Sequence, residues 1–416
     1  MPFQGFEGPA GTGKTHHLIE AVRARTAELV MQPHSRILAL TFMHGSRRRL
    51  EERLAHPAET RGRVTCMTID SFANHIVRRW QSCLAELPDL KQFDQVCDSC
   101  GQLLERPEIA RWVHSTFPIL AVDEAQELAP PRLRIVRALA ERLDAFVAAD
   151  EFQCLEQGLD TGPFVDWFNA GNVQQLDEVR RTNQPGLLAG ALALRGGGFP
   201  QAGVGLAIDY KFPAQMPFAI GHAINRDRQG TAVIVAPGSG PWATDVIQRL
   251  AAGMQTPNQV VPPTRLGWET GSGEEAGRVS GAVCPGENVA TADLIAELVG
   301  LAEPPPWLKT VVASVQYGRR ALGQQDWSKE QVHDLCERKA SAYRAYGYGH
   351  SRNVPVLTIH GAKNRQFRNV VVLWGPGVIG TDDYKRRLLY NAITRAEQRC
   401  TVFVRTQALL NAAPFA

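Results

Sequence analysis

With 416 residues, of which 44% are hydrophobic and 21% charged, the chain has the composition of a soluble globular protein. Its length suits two or three domains, at roughly 150 residues each. A net charge of only +3 excludes a uniformly basic surface, so any nucleic-acid face must be local. No run approaches the ~20 apolar residues of a membrane span, and a phosphate-loop pattern begins at residue 8, which leaves no room for a signal peptide. The cytoplasm is the expected compartment, and membranes are not an expected partner.

Residues 3–7 read as a short strand and residues 16–25 as a helix. Between them, Gly8, Pro9, Ala10, Gly11, Thr12, Gly13, Lys14 and Thr15 fit GxxxxGK[ST]. In that pattern backbone N–H groups wrap phosphates at a helix amino terminus, the lysine meets the β and γ groups, and the hydroxyl holds Mg2+. ATP and Mg2+ are the ligands it calls for. Residues 37–42 form the next apolar strand, ahead of a helix-like stretch at 47–54 with Arg47, Arg48, Arg49 and Arg53. These arginines either track a nucleic-acid backbone or form a solvated helix face.

Residues 81–111 read as a short helical insertion holding Cys97 and Cys100, a CxxC pair. A structural zinc needs two further ligands, with Cys83 and His114 the near candidates, and ordinary thiols are the plainer expectation. Residues 119–122 are an apolar strand ending in Asp123 and Glu124. Such a pair delivers one carboxylate to a Mg2+ shell and another to an attacking water. Another strand, 146–149, also ends in acids. A second alternation occupies 231–236, 242–250, 356–359, 370–374 and 401–404, so two α/β domains with parallel sheets are expected. A glycine-rich turn at 196–201, and a stretch at 271–352 with a linker at 303–306 and charged helical segments, do not read as sheet.

Asp123-Glu124-Ala125-Gln126 after that phosphate loop resembles the superfamily 1 helicases of the UvrD/Rep type, and the other motifs of that family appear in order. Residues 38–42 resemble motif Ia, 68–72 motif Ic, 150–153 motif III, 179–182 a degenerate motif IV, 358–363 motif V and 389–396 motif VI. The resemblance implies two RecA-like parallel-sheet motor domains with small helical insertions: 1–182 with an insertion at about 81–111, and 183–416 with one at about 271–352. It implies that Lys14 and Thr15 bind phosphate and Mg2+, Asp123 holds the metal and Glu124 activates water. Gln153 would sense the γ-phosphate, and Arg181 and Arg395 would reach it from the facing domain. Motifs Ia, Ic and V would follow the strand through Thr41, Phe42, Thr68, Ser71 and His360. Phe42 is then a base-stacking residue, or else a core residue at a strand end.

The pattern also departs from the family. The chain starts too close to the phosphate loop for the upstream glutamine motif that reads adenine. Arg180 stands where an aromatic is common, and Cys154, Leu155 and Glu156 follow Gln153 where intercalating aromatics are usual. Asn364 and Gln366 replace a glycine and a glutamate of motif V, so the ribose contact would be the Gln366 amide. Little follows motif VI, and no nuclease domain fits in 405–416. The expected function is an ATP-dependent single-stranded DNA translocase or helicase of 3′ to 5′ polarity, engaging a 3′ overhang or junction in repair or anti-phage defence. Two alternatives stay open: a DNA-binding switch subunit with a nuclease partner, and an RNA-directed ATPase.

Overall fold

The computed structural model describes residues 3–42, 44–90, 92–268, 272–302, 304–346 and 353–416. Glu303 of the expected linker falls outside them, as do the side chains of Arg48 and Arg49. The first sheet comprises β1 (Gln4–Glu7), β2 (Ile37–Thr41), β3 (Val64–Thr68), β4 (Ile119–Asp123), β5 (Asp144–Ala149) and β6 (Asn172–Gln175). All are parallel, in the order β3-β2-β4-β5-β1-β6. The helices here are α1 (Lys14–Glu28), α2 (His44–Ala55), α3 (Ile69–Trp80), α4 (Phe93–Leu104), α5 (Pro107–Thr116), α6 (Pro130–Ala140) and α7 (Gly162–Asn169).

Successive side chains of a strand face opposite sides, and the inner strands here are apolar on both. Leu38, Leu40, Leu120 and Val122 enter one core with α3, α4 and α6. Ile37, Ala39, Ile119 and Ala121 enter a second core with Leu18 and Val22 of α1 and Leu50 and Leu54 of α2. Two-sided burial of near-continuous apolar strands is what a helix-covered parallel sheet requires.

Residues 81–111 contribute to the first of these cores. Val96, Cys97, Cys100, Leu103 and Leu104 of α4 are buried in it. The Cys97 thiol donates to Asp70 Oδ1 at 3.3 Å, and burial pushes it up to about 12. His114 is turned elsewhere, its Nδ1 lying 2.9 Å from the Arg142 carbonyl oxygen. Cys97 and Cys100 thus act as small core residues.

The second sheet comprises β7 (Leu206–Asp209), β8 (Thr231–Val235), β11 (Leu266–Trp268), β14 (Val354–Thr358), β15 (Phe367–Trp374) and β16 (Ala396–Val404), in the order β11-β14-β8-β15-β16-β7. The pairings from β14 to β7 are parallel. Helices α8 (Pro185–Arg195), α9 (Met216–Asn225), α10 (Gly240–Ala252) and α15 (Asp382–Ile393) accompany it, with a hairpin of β9 (Met254–Thr256) and β10 (Gln259–Val261).

Residues 268–352 form a separate compact unit. It contains α11 (Ser272–Val283), β12 (Asn288–Ala290), α12 (Thr291–Gly300), α13 (Leu308–Leu322), β13 (Asp326–Ser328) and α14 (Lys329–Tyr346), with β12 antiparallel to β13 and a core of its own. Among the described residues no helix is long and apolar enough to cross a membrane.

Cys100→Ala should lower stability in urea denaturation by about 1 kcal/mol, the scale of a small buried deletion, and release no zinc from purified protein. Loss of an equimolar zinc with the substitution would make α4 a metal site instead.

Candidate active site

In a parallel sheet the loops at the carboxyl ends of the strands carry the ligand site, and both sheets contribute here. The loop from β1 to α1 turns through Gly11 and Gly13, each at φ 89°, where a side chain would be strained. At Gly8 a Cβ would collide with the Leu176 carbonyl oxygen. The loop braces itself through Thr12, whose hydroxyl donates to Pro9 O at 2.9 Å. Lys14 Nζ donates to Gly8 O at 2.8 Å and Pro9 O at 3.1 Å, so the ammonium arches over the loop.

Thr15 Oγ1 donates to Asp123 Oδ2 at 3.0 Å, bringing the first turn of α1 to the end of β4. Burial, and then the adjacent Glu124, push the Asp123 carboxyl up to about 7 against the pull of Thr15 and Lys14. A hydroxyl and a carboxylate in contact, beside a second carboxylate, are a donor set that suits a hard divalent cation. Thr15 and Asp123 therefore fit Mg2+.

Glu124 itself has φ 59° and ψ 43°, a left-handed conformation rare for a non-glycine residue and costing about 1–3 kcal/mol. Gln126 holds it there. Its Nε2 donates to Glu124 Oε2 at 2.6 Å, while its Oε1 accepts from the Asp150 N–H at 3.0 Å.

The opposite wall comes from the second sheet and its approach. Arg395 is 1% exposed, and its Nη2 lies 3.5 Å from Gln153 Oε1. Arg181 Nη1 donates to Thr394 O at 2.7 Å. With its amide oxygen turned inward, Gln366 accepts from Arg181 Nε at 3.1 Å and Nη2 at 3.2 Å. Burial, and then repulsion from Arg395, lower the Arg181 pKa. A guanidinium keeps its proton regardless, so the pair is a concentrated positive charge suited to a polyanion. Asn364 takes φ 60°, a left-handed position that asparagine tolerates. Lys14, Thr15, Asp123, Glu124, Gln153, Arg181, Gln366 and Arg395 all line one cleft of about 730 Å3, as do His16, Arg53 and Arg180.

Other contacts tie the two sheets together. Asp150, fully buried, binds Arg195 Nη1 at 2.5 Å, accepts from Gln153 Nε2 at 2.7 Å, and lies 3.6 Å from Lys14 Nζ. Burial alone would raise its pKa, but Lys14 and Arg195 outweigh that and lower it. Ala10 N–H donates to the Tyr390 hydroxyl at 2.8 Å, Arg387 Nη1 donates to Glu151 O at 2.6 Å, and Lys363 pairs with Glu127. Asp150, Arg195, Tyr390 and Gln126 had no assigned role in the sequence. Tyr390 and Asp150 at least lie within recognisable motifs, whereas Arg195 carries no local signal.

The residues expected along a strand fall at carboxyl ends of other strands. Thr41 is buried at the end of β2, and Phe42 follows half-buried, with the Arg132 guanidinium 5.9 Å from its ring centre. Arg132 is in turn held by Asp70 at 2.8 Å and Asp94 at 2.7 Å. Thr68 caps α3 by accepting from the Ser71 N–H, and the two hydroxyls meet at 2.7 Å. His360 is exposed after β14. Arg53 is exposed and lines the same cleft.

Two six-stranded α/β sheets meeting across a phosphate loop and an arginine pair have the form of a RecA-like fold. Comparison with known families agrees: an AAA domain model matches residues 4–159, and a UvrD-like helicase C-terminal domain model matches residues 353–403. Together the two matches, each covering less than half of the chain, support a likeness to UvrD-like superfamily 1 helicases. No curated protein matches it. Among solved structures, the arterivirus nonstructural protein 10 helicase aligns with 99% of this chain at 11% identity and a TM-score of 0.39. The chain spans 62% of that protein's length.

Tyr390→Phe should destabilise the protein by about 1–3 kcal/mol in urea denaturation, because the Ala10 N–H loses its buried acceptor. An unchanged midpoint and slope would mean that the bond contributes nothing.

Proposed function

We propose that the chain is an ATP-dependent single-stranded DNA translocase with 3′ to 5′ polarity, working in repair or in defence against foreign DNA. The observation that carries the reading is the convergence in one cleft of Lys14, Thr15, Asp123 and Glu124 from one sheet with Arg181 and Arg395 from the other side. Lys14 binds the β- and γ-phosphates, and Glu124 accepts the proton of the attacking water. Gln153, touching both Asp150 and Arg395, reports the γ-phosphate to both domains. Arg181 and Arg395 stabilise the charge that grows on the transferring group, a contribution worth roughly 10³ to 10⁵ in rate for such arginines. Thr15 and Asp123 would hold Mg2+, which would supply charge neutralisation of the phosphate oxygens. Phe42 stacks on a base and His360 meets the backbone of the strand, with Thr41, Thr68 and Ser71 shaping the ends of β2 and β3.

One observation favours a second reading, a DNA-binding switch that works with a nuclease and unwinds weakly alone. The aromatics after β5 are committed inward: Phe152 packs edge-on to Tyr390 at 5.0 Å, Trp167 stacks on Phe3 at 4.3 Å, and Phe164 and Phe168 are buried. Intercalation between bases from that segment is thereby restricted.

Turnover should rise with oligothymidylate and fall steeply with salt. Glu124→Gln should still bind ATP while losing about 10² to 10⁴ in turnover. Wild-type turnover in Glu124→Gln would remove Glu124 as the base, and stimulation by duplex or RNA alone would remove the single-stranded DNA reading. Displacement from a 3′-tailed but not a 5′-tailed duplex separates the translocase from the switch.

A further inference from the structure

Arg181 lies in the chain between the two sheets, and both of them fix it. On the first side, the Arg180 N–H donates to Gly11 O at 2.8 Å, and Gly11 packs so closely that a Cβ there would come within 2.7 Å of Arg181 Cβ. On the second, the guanidinium donates through Nη1 to Thr394 O, and through Nε and Nη2 to the one amide oxygen of Gln366. The backbone delivers Gln366 to that point. Asn364 turns the chain at φ 60°, and the Phe367 N–H that opens β15 donates to Arg395 O at 2.9 Å.

Elsewhere in the chain, buried or half-buried arginines are gripped by carboxylates. Arg134 uses the same two atoms, Nε and Nη2, on the two oxygens of Glu105 at 2.7 and 2.8 Å, while Arg195 pairs with Asp150 and Arg132 with Asp70. Among the described residues no carboxylate pairs with Arg181, and the two groups that accept from it are neutral. Burial, and then Arg395, disfavour its charge, so a carboxylate at position 366 would hold it more tightly. That carboxylate would also cancel charge that the cleft offers to a polyanion. An amide oxygen satisfies both N–H groups and leaves the positive charge whole.

We propose that Gln366 is the positioning residue for Arg181, a neutral anchor that aims the guanidinium into the cleft and leaves its charge available to the transferring phosphoryl group. The inference rests on the role given to Arg181 above and deepens it. It also competes with the ribose contact expected of Gln366, because Arg181 takes both lone pairs of the amide oxygen.

Single-turnover hydrolysis and two affinities, measured on full-length protein, separate these roles. One affinity is for a non-hydrolysable ATP analogue, the other for ADP with Mg2+ and aluminium fluoride, which imitates the transferring group. Gln366→Glu keeps the side chain's shape and should leave the thermal midpoint unchanged or higher. It should hydrolyse ATP about 10- to 100-fold more slowly and lose a similar factor in affinity for the aluminium fluoride complex, the scale of a hydrogen bond to a charged group. Its affinity for the ATP analogue should change by less than about threefold, since only the transition state needs the full charge. Gln366→Met, which removes the acceptor and adds no charge, should show the same split at about tenfold, and it carries the test if the glutamate variant does not fold. Equal weakening of both complexes would make Gln366 a contact to the bound nucleotide and overturn the proposal. Arg181→Ala separates this proposal from the reading beneath it. Wild-type hydrolysis in Arg181→Ala removes the arginine's role and the proposal together, whereas a loss there beside wild-type hydrolysis in Gln366→Glu overturns the proposal alone.

Discussion

Asp150 has no exposed surface, yet its surroundings lower its pKa. Taking a carboxylate out of water costs several kcal/mol even after relaxation, and only well-placed partners offset that. Here the partners come from different parts of the chain. Lys14 arrives from the phosphate loop, Arg195 from α8, Gln153 from the turn after β5, and the Tyr390 hydroxyl lies 3.5 Å away. One buried charge thus couples the loop between β1 and α1 to α8 and α15 beside the second sheet. In the proposed function a nucleotide phosphate would compete with Asp150 for the same Lys14 ammonium. Movement of that ammonium alters the balance felt by Arg195 and Tyr390.

Around this charge the backbone is held in conformations that ordinary packing would not select. Gly11 and Gly13 permit the loop to curl, and Glu124 is kept left-handed by Gln126. Strain of this kind persists where the surrounding structure over-determines it. Gln126 does so by bonding the Glu124 carboxylate and the Asp150 backbone at once, which fixes the ends of β4 and β5 relative to each other. The arginine pair on the far wall adds an unfavourable charge density that an anion relieves.

The sequence revealed what fixed spacing or two-sided burial makes visible. The phosphate loop, Asp123 and Glu124 were legible because their chemistry needs neighbouring residues, and β2, β4, β8 and β15 because inner strands are apolar on both faces. The edge strands β3, β6 and β7 were not read as strands. Asn172–Gln175 is polar and mostly exposed, and an edge with one covered side leaves no apolar run. Residues 81–111 looked like an insertion because α4 is polar on one face, while Cys97 and Cys100 supply part of its buried face. The contacts of Asp150 with Arg195 and Tyr390 span 45 and 240 positions, and no local pattern reports such pairs. Gln366 was expected at a ribose, but its position beside Arg181 depends on which way the amide turns, a matter of neighbours rather than spacing.

In the proposed function the second sheet completes the chemistry at the phosphate loop. Arg395 tests it, since it is buried, touches Gln153 and lies on the wall opposite Lys14. Single-turnover ATP hydrolysis can be measured for wild-type and Arg395→Ala protein with saturating oligothymidylate, alongside the affinity for a fluorescent ATP analogue. Arg395→Ala should lose roughly 10³ or more in the hydrolysis rate, as for other arginines acting across a cleft, with nucleotide affinity changed only a few-fold. Hydrolysis at the wild-type rate would contradict it, because the second sheet would then contribute nothing to the reaction.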